Sequence, residues 1–295
     1  MFLKTHTDYL IRWVIVGIGA LITAVWLLVL GITVNVGSVL PKLGFFCIFL
    51  FFAAVYAGLG NRMPRLGRPL AVATDCCLSL AQLLAAVIVL LPLTYLAATT
   101  GFPLLDDKLA HLDAMLGFDW DGAARWVSER PVIDWIFQRA YLSIPYQAAG
   151  ILLIGSFRLD RNSEILWIFL VSGLMTFAIF AFTPAAGKIG QLGTGYLNLL
   201  MEIRRGDWSS MNYNQTEGIV TFPSFHATLA IIMTYAVRRY RWALAVFGSL
   251  NCLMILAIPT VGGHYLVDLF GGAVVAGLAI LLVPLIRRPL RGEGP

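Results

Sequence analysis

Charge is what this chain has least of. Only 13% of its 295 residues are Asp, Glu, Lys or Arg, 59% are hydrophobic, and the mean hydropathy is +0.82. A soluble domain is about a quarter charged. This composition therefore cannot cover a water-facing surface, which excludes a soluble enzyme, a nucleic-acid-binding domain and a disordered chain. Cysteine is also scarce. The four, Cys47, Cys76, Cys77 and Cys252, all lie in apolar runs without metal-ligand spacing, which reads as core packing and not as redox or metal chemistry. The chain contains neither an internal repeat nor a low-complexity segment.

What the chain has in abundance is long apolar runs: 13–34, 43–60, 69–100, 140–157, 165–183, 222–237, 242–259 and 263–286. A helix needs about 20 apolar residues to cross a bilayer. The expected fold is therefore all-α, a polytopic transmembrane helical bundle of about eight spans. The first run is too long for a signal-peptide core and lacks a cleavage site, so it is expected to stay as an anchor. The run 69–100 exceeds the length of one span and is expected to tilt or extend beyond the bilayer.

With a cytoplasmic N-terminus, the inside segments carry Lys4, Arg12, Arg62, Arg65, Arg68, Arg158, Arg161, Arg238, Arg239, Arg241, Arg287, Arg288 and Arg291, 13 of the 21 basic residues. The other eight lie outside, six of them in two 38-residue loops, 101–138 and 184–221, where ten acidic residues dilute them. The positive-inside rule then puts both termini in the cytoplasm and both long loops outside. In the first loop Leu109, Leu112 and Leu116 repeat at helical spacing with charges between them, the pattern of an amphipathic helix lying at the interface. Residues 122–139 read the same way, interrupted at Pro131, and Trp120, Trp126 and Trp135 suit the headgroup layer. The expected organisation is a three-span segment (1–100), an outer amphipathic loop (101–138), a five-span core (139–286) and a basic cytoplasmic tail (287–295).

Polar groups inside a membrane are costly, so the few present point to function. His6 in the tail and His111 on the loop read as solvated. His226 and His264 differ, because each sits at the outer end of an apolar run and both face one compartment. In Thr221-Phe222-Pro223-Ser224-Phe225-His226, a proline before a long apolar run reads as a helix's first turn. Free N–H groups of residues 224 to 226, the helix dipole and the Ser224 hydroxyl would make an anion site, with His226 emerging from the same turn. In Gly262-Gly263-His264-Tyr265-Leu266-Val267-Asp268, the histidine and the aspartate are i and i+4 on one helix face. The carboxylate can fix the imidazole tautomer and leave the other nitrogen free to attack, and the glycines let another element approach closely. Asp75, near the cytoplasmic end of the third run, reads as a hydrogen-bonding group within the bundle.

Pro223-Ser224-Phe225-His226 and His264-Tyr265-Leu266-Val267-Asp268 resemble the second and third motifs of the type 2 phosphatidic acid phosphatase (PAP2) superfamily, in the variant of its inositol-phosphorylceramide-synthase-like branch. The stretch from Asp106 to Trp120, with Leu109, Leu112, Asp113, Gly117, Phe118 and Asp119, resembles bacterial members of that branch. The resemblance covers roughly residues 100–286. It implies a helical bundle with a PAP2-like catalytic core that transfers phosphoryl groups from lipid phosphates through a phosphohistidine. His264 is then the nucleophile oriented by Asp268. His226 is the general acid and then the base. Ser224, Phe225 and the amides near them hold the phosphoryl oxygens. No cofactor and no metal are implied; the partners are a lipid phosphate substrate and membrane lipids, not nucleic acid. The implied location is a bacterial inner membrane, with the site facing the periplasm or exterior.

Two positions depart from the family pattern. Where the superfamily has Ser-Arg before the second histidine, this chain has Ala257-Ile258, and it has Phe225 where Gly is usual. The missing Arg leaves a transition state with equatorial negative charge to be met by another cation. The candidates are Lys188, in Thr183-Pro184-Ala185-Ala186-Gly187-Lys188, followed by Arg204 and Arg205. Hydrolysis of a lipid phosphate or pyrophosphate is the leading expectation, and transfer of a phosphate headgroup to an alcohol is the alternative. A transporter or a non-catalytic scaffold is the rival from another class. A transporter predicts polar residues spread along several spans, whereas here they crowd at one face.

Overall fold

The computed structural model describes residues 2–157, 161–188, 195–214 and 218–290. Among these the chain forms twelve α-helices and one two-stranded sheet. In chain order the helices are α1 (Phe2–Val29), α2 (Val36–Arg62), α3 (Gly67–Ala98), α4 (Asp106–Met115), α5 (Trp120–Ser128), α6 (Pro131–Tyr141), α7 (Ile144–Ser156), α8 (Arg161–Phe182), α9 (Gly195–Arg205), α10 (Phe225–Val237), α11 (Arg241–Val261) and α12 (Leu266–Leu290). Strands β1 (Thr33–Val34) and β2 (Ser210–Met211) pair in parallel, tying the α1–α2 turn to the segment after α9.

Six helices, α1, α2, α3, α8, α11 and α12, are long and apolar enough to cross a membrane. The other two apolar runs are shorter than the sequence suggests: α7 and α10 have 13 residues each, about 20 Å at 1.5 Å per residue. α2 shows what surrounds the bundle. It is apolar on every side yet buries only Ser38 and Ala53, a pattern that suits lipid and not water. Two of the cysteines follow it outward. Cys47 and Cys252 are exposed on helix flanks, whereas Cys76 and Cys77 are half-buried, so core packing describes only the second pair.

Polar contacts gather at the two ends of the bundle. At one end, Asp8 of α1 accepts from Arg12 and Arg287 at 3.3 Å each, from the Trp167 indole at 2.5 Å and from the Ser163 hydroxyl. Arg12 also donates to Gln82 on α3 at 2.7 Å. Beside this cluster Asn162 donates to Asp75 at 2.8 Å, Arg161 donates to the Ala236 carbonyl at 2.6 Å, and Arg238 reaches Glu164 at 3.4 Å. Asp75 is thus the within-bundle group the sequence suggests. At the opposite end lie both histidines, α4, α5, α6, α9 and the β-pair. The short helices run between these two layers. α7 starts beside Tyr141 at the histidine end and meets Asn162 through Ser156 at the other; α10 starts at the histidines and meets Arg161 through Ala236.

The loop 101–138 departs from an interfacial amphipathic helix. In α4 the buried face carries Asp106, Leu109 and Asp113, while Leu112, Met115 and Leu116 point outward. The leucine stripe loses to the aspartates because each carboxylate has backbone amides to satisfy, buried ones at Asp106 and half-buried ones at Asp113. Trp120 is likewise buried rather than in a headgroup layer: its indole donates to the Pro259 carbonyl at 2.8 Å, one of the unpaired carbonyls that end α11. Trp126 and Trp135 are exposed as expected. α6 runs through the domain boundary drawn at residue 138 and packs along α11.

Candidate active site

His264 follows two glycine-bearing turns that touch. Gly187 and Gly263 both have left-handed backbones, with φ of 74° and 65°, which only glycine adopts at little cost. The Lys188 amide donates to the Gly263 carbonyl at 2.7 Å, and a Cβ on Gly187 would lie 2.8 Å from that oxygen. Asp106 fixes one side of this junction by accepting from the amides of Ala186 and Gly187 at 2.9 Å each, and from the Tyr265 hydroxyl at 3.0 Å. Asp113 fixes the other side. It accepts from the amides of Leu266 and Val267, at 2.7 and 3.0 Å, and so caps the start of α12 from a remote segment.

The imidazole that results is held in one tautomer. His264 Nδ1 lies 2.9 Å from the Thr221 carbonyl and 3.3 Å from Asp268 Oδ2. A carbonyl can only accept, so Nδ1 carries the proton and Nε2 keeps its lone pair. Asp268 is itself anchored by the Tyr265 amide at 2.8 Å and is fully buried, as His264 nearly is.

His226 projects from the first turn of α10. That helix begins at Phe225, two residues after the proline that the sequence puts in its first turn, with Ser224 as N-cap and its hydroxyl oxygen accepting from the Ala227 amide at 3.4 Å. Pro223 precedes the cap, joined to Phe222 by a cis peptide bond. The Ser224 amide donates to the Asp268 carbonyl at 3.0 Å. It is therefore committed to joining α10 to α12 and is not free for an anion. The amides of Phe225 and His226 remain as first-turn donors. Gly272 permits this junction: a Cβ there would lie 2.4 Å from the Ser224 carbonyl oxygen. Phe225 turns inward against Phe169, with ring centroids 6.0 Å apart.

The two histidine rings converge, with centroids 6.4 Å apart and planes at 63°. Tyr141, at the end of α6, stacks on His226 at 4.0 Å with planes 12° apart. Its hydroxyl is 3.2 Å from His226 Nδ1. Near-parallel planes put that oxygen over the face of the ring and not on the in-plane lone pair, so the contact is stacking.

Both histidines line a cavity of about 1260 Å³ that continues between α3, α7, α8 and α10 along Leu83, Leu90, Ala148, Leu152, Leu229 and Met233. Phe45 and Val87 on one rim, and Leu142 on the other, are exposed on the outer faces of their helices. The cavity therefore opens sideways from the bundle.

Among the residues picked out from sequence, the structure brings together His226, His264 and Asp268, with Ser224 and Phe225 shaping the turn that carries His226. Lys188 joins them through its backbone, and its ammonium lies 5.6 Å from the Tyr265 ring centroid, outside the cavity lining. Arg204 and Arg205 are not part of this group. Arg204 donates to the Phe102 carbonyl at 2.5 Å, and Arg205 pairs with Asp207 at 2.9 Å. The residues that sequence reading missed are Asp106, Asp113, Tyr141 and Thr221. The seven-residue spacing of Asp106 and Asp113 was a usable signal, because it puts both on one helix face with Leu109. Thr221 acts through its backbone, which leaves no trace in residue identity. Among the described residues no group of three His, Cys, Asp or Glu side chains has the arrangement of a metal site.

No curated protein and no solved structure matched the chain. A family model did match, over residues 107–282, the stretch holding both histidines, Asp268 and the two turns that position them. On that match, which covers more than half of its length, the chain belongs to the PAP2 superfamily.

Proposed function

We propose that the protein is an integral-membrane phosphoryl-transfer enzyme that hydrolyses a lipid phosphate or pyrophosphate through a phosphohistidine at the outer face of the membrane. Membership of the superfamily supports phosphatase or phosphoryl-transfer activity in general. The observation that carries the finer reading is the pair of rings 6.4 Å apart, one with Nδ1 protonated by its surroundings. His264 Nε2 attacks phosphorus as the bond to the lipid oxygen breaks, and protonated His226 gives its proton to that oxygen. Water then adds to phosphorus, His226 takes its proton, and the nitrogen–phosphorus bond breaks. The imidazolium that His264 becomes is stabilised by Asp268. Lys188 and the amides of Phe225 and His226 are the proposed ligands of the phosphoryl oxygens; Arg204 and Arg205 are committed elsewhere.

Eight crossings are proposed rather than six, because α7 and α10 both connect the two polar layers. Each is about 20 Å long, short of a hydrocarbon thickness of about 30 Å. The sideways opening supports a substrate whose apolar chain enters from the bilayer. A transferase, with an alcohol in place of water, is favoured by the cavity's 1260 Å³. That exceeds the roughly 300–1,000 Å³ of an ordinary small-molecule site and has room for a donor chain and an acceptor.

Purified protein supplied with a panel of lipid phosphates, with free phosphate and headgroup exchange both measured, tests the reading. His264→Ala and His226→Ala are each expected to abolish turnover while the protein still inserts. An acid-labile phosphoryl label on the chain is expected to vanish with His264→Ala. Unchanged turnover in either variant counts against the assigned roles.

A further inference from the structure

The N-terminal helices lie outside the family match, yet they supply part of the substrate cavity's lining, including one charged side chain. Lys42, in the second turn of α2, is half-buried and lines the same cavity as His226 and His264. Among the described residues it is the single Lys or Arg in that lining, which is otherwise mostly apolar. Its ammonium is held by neutral groups: the Ser38 carbonyl at 3.3 Å, the Asn214 side-chain oxygen at 3.2 Å and the Tyr213 ring at 5.6 Å. Burial pushes the Tyr213 phenol up to about 12, and its hydroxyl donates to the Ile88 carbonyl, so this neighbour is uncharged. No carboxylate pairs with Lys42 among the described residues. The one carboxylate in the described lining, Asp134, accepts from the Gln138 side chain on its own helix. A half-buried ammonium with no paired carboxylate among the described residues, at the wall of a mostly apolar cavity, attracts an anion.

The position is specified by more than one element. The β1–β2 pair ties the start of α2 to the segment ending at Asn214, and the Tyr213 amide donates to the Ser38 hydroxyl at 2.9 Å. The same segment leads on to Thr221, whose carbonyl holds His264. α2 packs chiefly on α3, however, and not on α10 or α12, which carry the histidines. Lys42 therefore enters the cavity from a different wall than the two histidines.

We propose that Lys42 binds a second anionic group of the lipid substrate, beyond the phosphoryl group that reacts, so that the preferred substrate class is a lipid diphosphate or another lipid with two anionic centres. This rests on the reading of the histidine pair as a lipid-phosphate site. Lys188 remains the proposed ligand of the reacting phosphoryl group, and Lys42 serves the group next to it. The apolar chain lies along the cavity between α3 and α7.

The test compares Lys42→Gln, Lys42→Arg and the parent on farnesyl diphosphate and farnesyl phosphate. With Lys42→Gln, KM for the diphosphate is expected to rise about tenfold, the size of one charge-assisted contact. The value of kcat stays within about twofold of the parent, because the lost contact is not one made only in the transition state. KM for the monophosphate is unchanged, and Lys42→Arg restores the diphosphate value. Asn214→Ala, which removes a neutral neighbour and keeps the charge, leaves the preference intact. An unchanged KM for the diphosphate, or an equal rise for both compounds, overturns the proposal. Binding of the same two compounds, followed by tryptophan fluorescence, separates the two levels. If no variant turns either compound over but the parent binds the diphosphate more tightly and Lys42→Gln loses that margin, hydrolysis fails and Lys42 stands. If parent and Lys42→Gln show the same margin, Lys42 fails whatever the turnover.

Discussion

His264 is set by two acceptors of different kinds. The Thr221 carbonyl forces the proton onto Nδ1, and in the proposed mechanism the Asp268 carboxylate answers the positive charge that appears when Nε2 acquires a phosphoryl group. Removing the charge while keeping the shape separates these contributions. Asp268→Asn retains an oxygen for the Tyr265 amide, so folding should survive. The rate of phosphoryl transfer is expected to fall about a hundredfold or more, because an amide cannot stabilise the imidazolium. Turnover under single-turnover conditions is the measurement, and a loss below about threefold would show that the carbonyl alone suffices. Tyr141 invites a similar separation. If the near-parallel rings act by stacking, Tyr141→Phe keeps kcat within about threefold. Tyr141→Leu then costs about tenfold, the upper range for an aromatic pair. A large loss with Phe instead means that the hydroxyl contact to Nδ1 carries the effect.

At the scale of elements, α10 and α12 approach so closely that one of them has no room for a methyl group. Substituting alanine for glycine inside a helix ordinarily stabilises by about 0.5–1 kcal/mol. Gly272→Ala should do the reverse, since the new Cβ would meet the Ser224 carbonyl oxygen at 2.4 Å, and the displaced α10 would carry His226 out of register. Gly277, on the same helix with nothing within 4 Å, is the control: Gly277→Ala should raise thermal stability slightly and leave activity in place. The two carboxylates of α4 belong to the same scale. Asp113→Ala leaves the half-buried Leu266 and Val267 amides without their acceptor, at a cost of about 1 kcal/mol for each orphaned group, the low end for a buried one. It should lower the melting temperature in detergent and depress activity together. Lys108→Ala on the same helix should change neither.

Across the whole molecule, what was legible in the sequence followed the strength of the physical constraint. Unbroken apolar runs leave little choice but helix, so the six long helices and the all-α class could be read directly. The histidine motifs could be read because a buried imidazole next to Asp268 has few other uses. Length was less legible: 140–157 and 222–237 read as spans, but Tyr141 ends α6, and Pro223 and the Ser224 cap precede α10, which leaves helices of 13 residues. The burial of Asp106 and Asp113 was hidden because backbone amides of distant residues satisfy them. The cluster of Asp8, Arg12 and Arg287 was hidden for the same reason, since its members stand at opposite ends of the chain. That cluster fastens α1 to α3, α8 and α12 at the layer remote from the histidines, with side-chain exposures of only 5%, 4% and 7%. Asp8→Ala removes the carboxylate shared by two buried guanidinium groups, which costs about 3–5 kcal/mol when one partner of a buried pair is lost. Replacing Asp8, Arg12 and Arg287 together by leucine or methionine should cost much less, because no buried charge is then left behind. Thermal unfolding in detergent should therefore rank the triple variant above the single one. The reverse order would mean that the cluster holds α1 by its specific geometry rather than by charge balance.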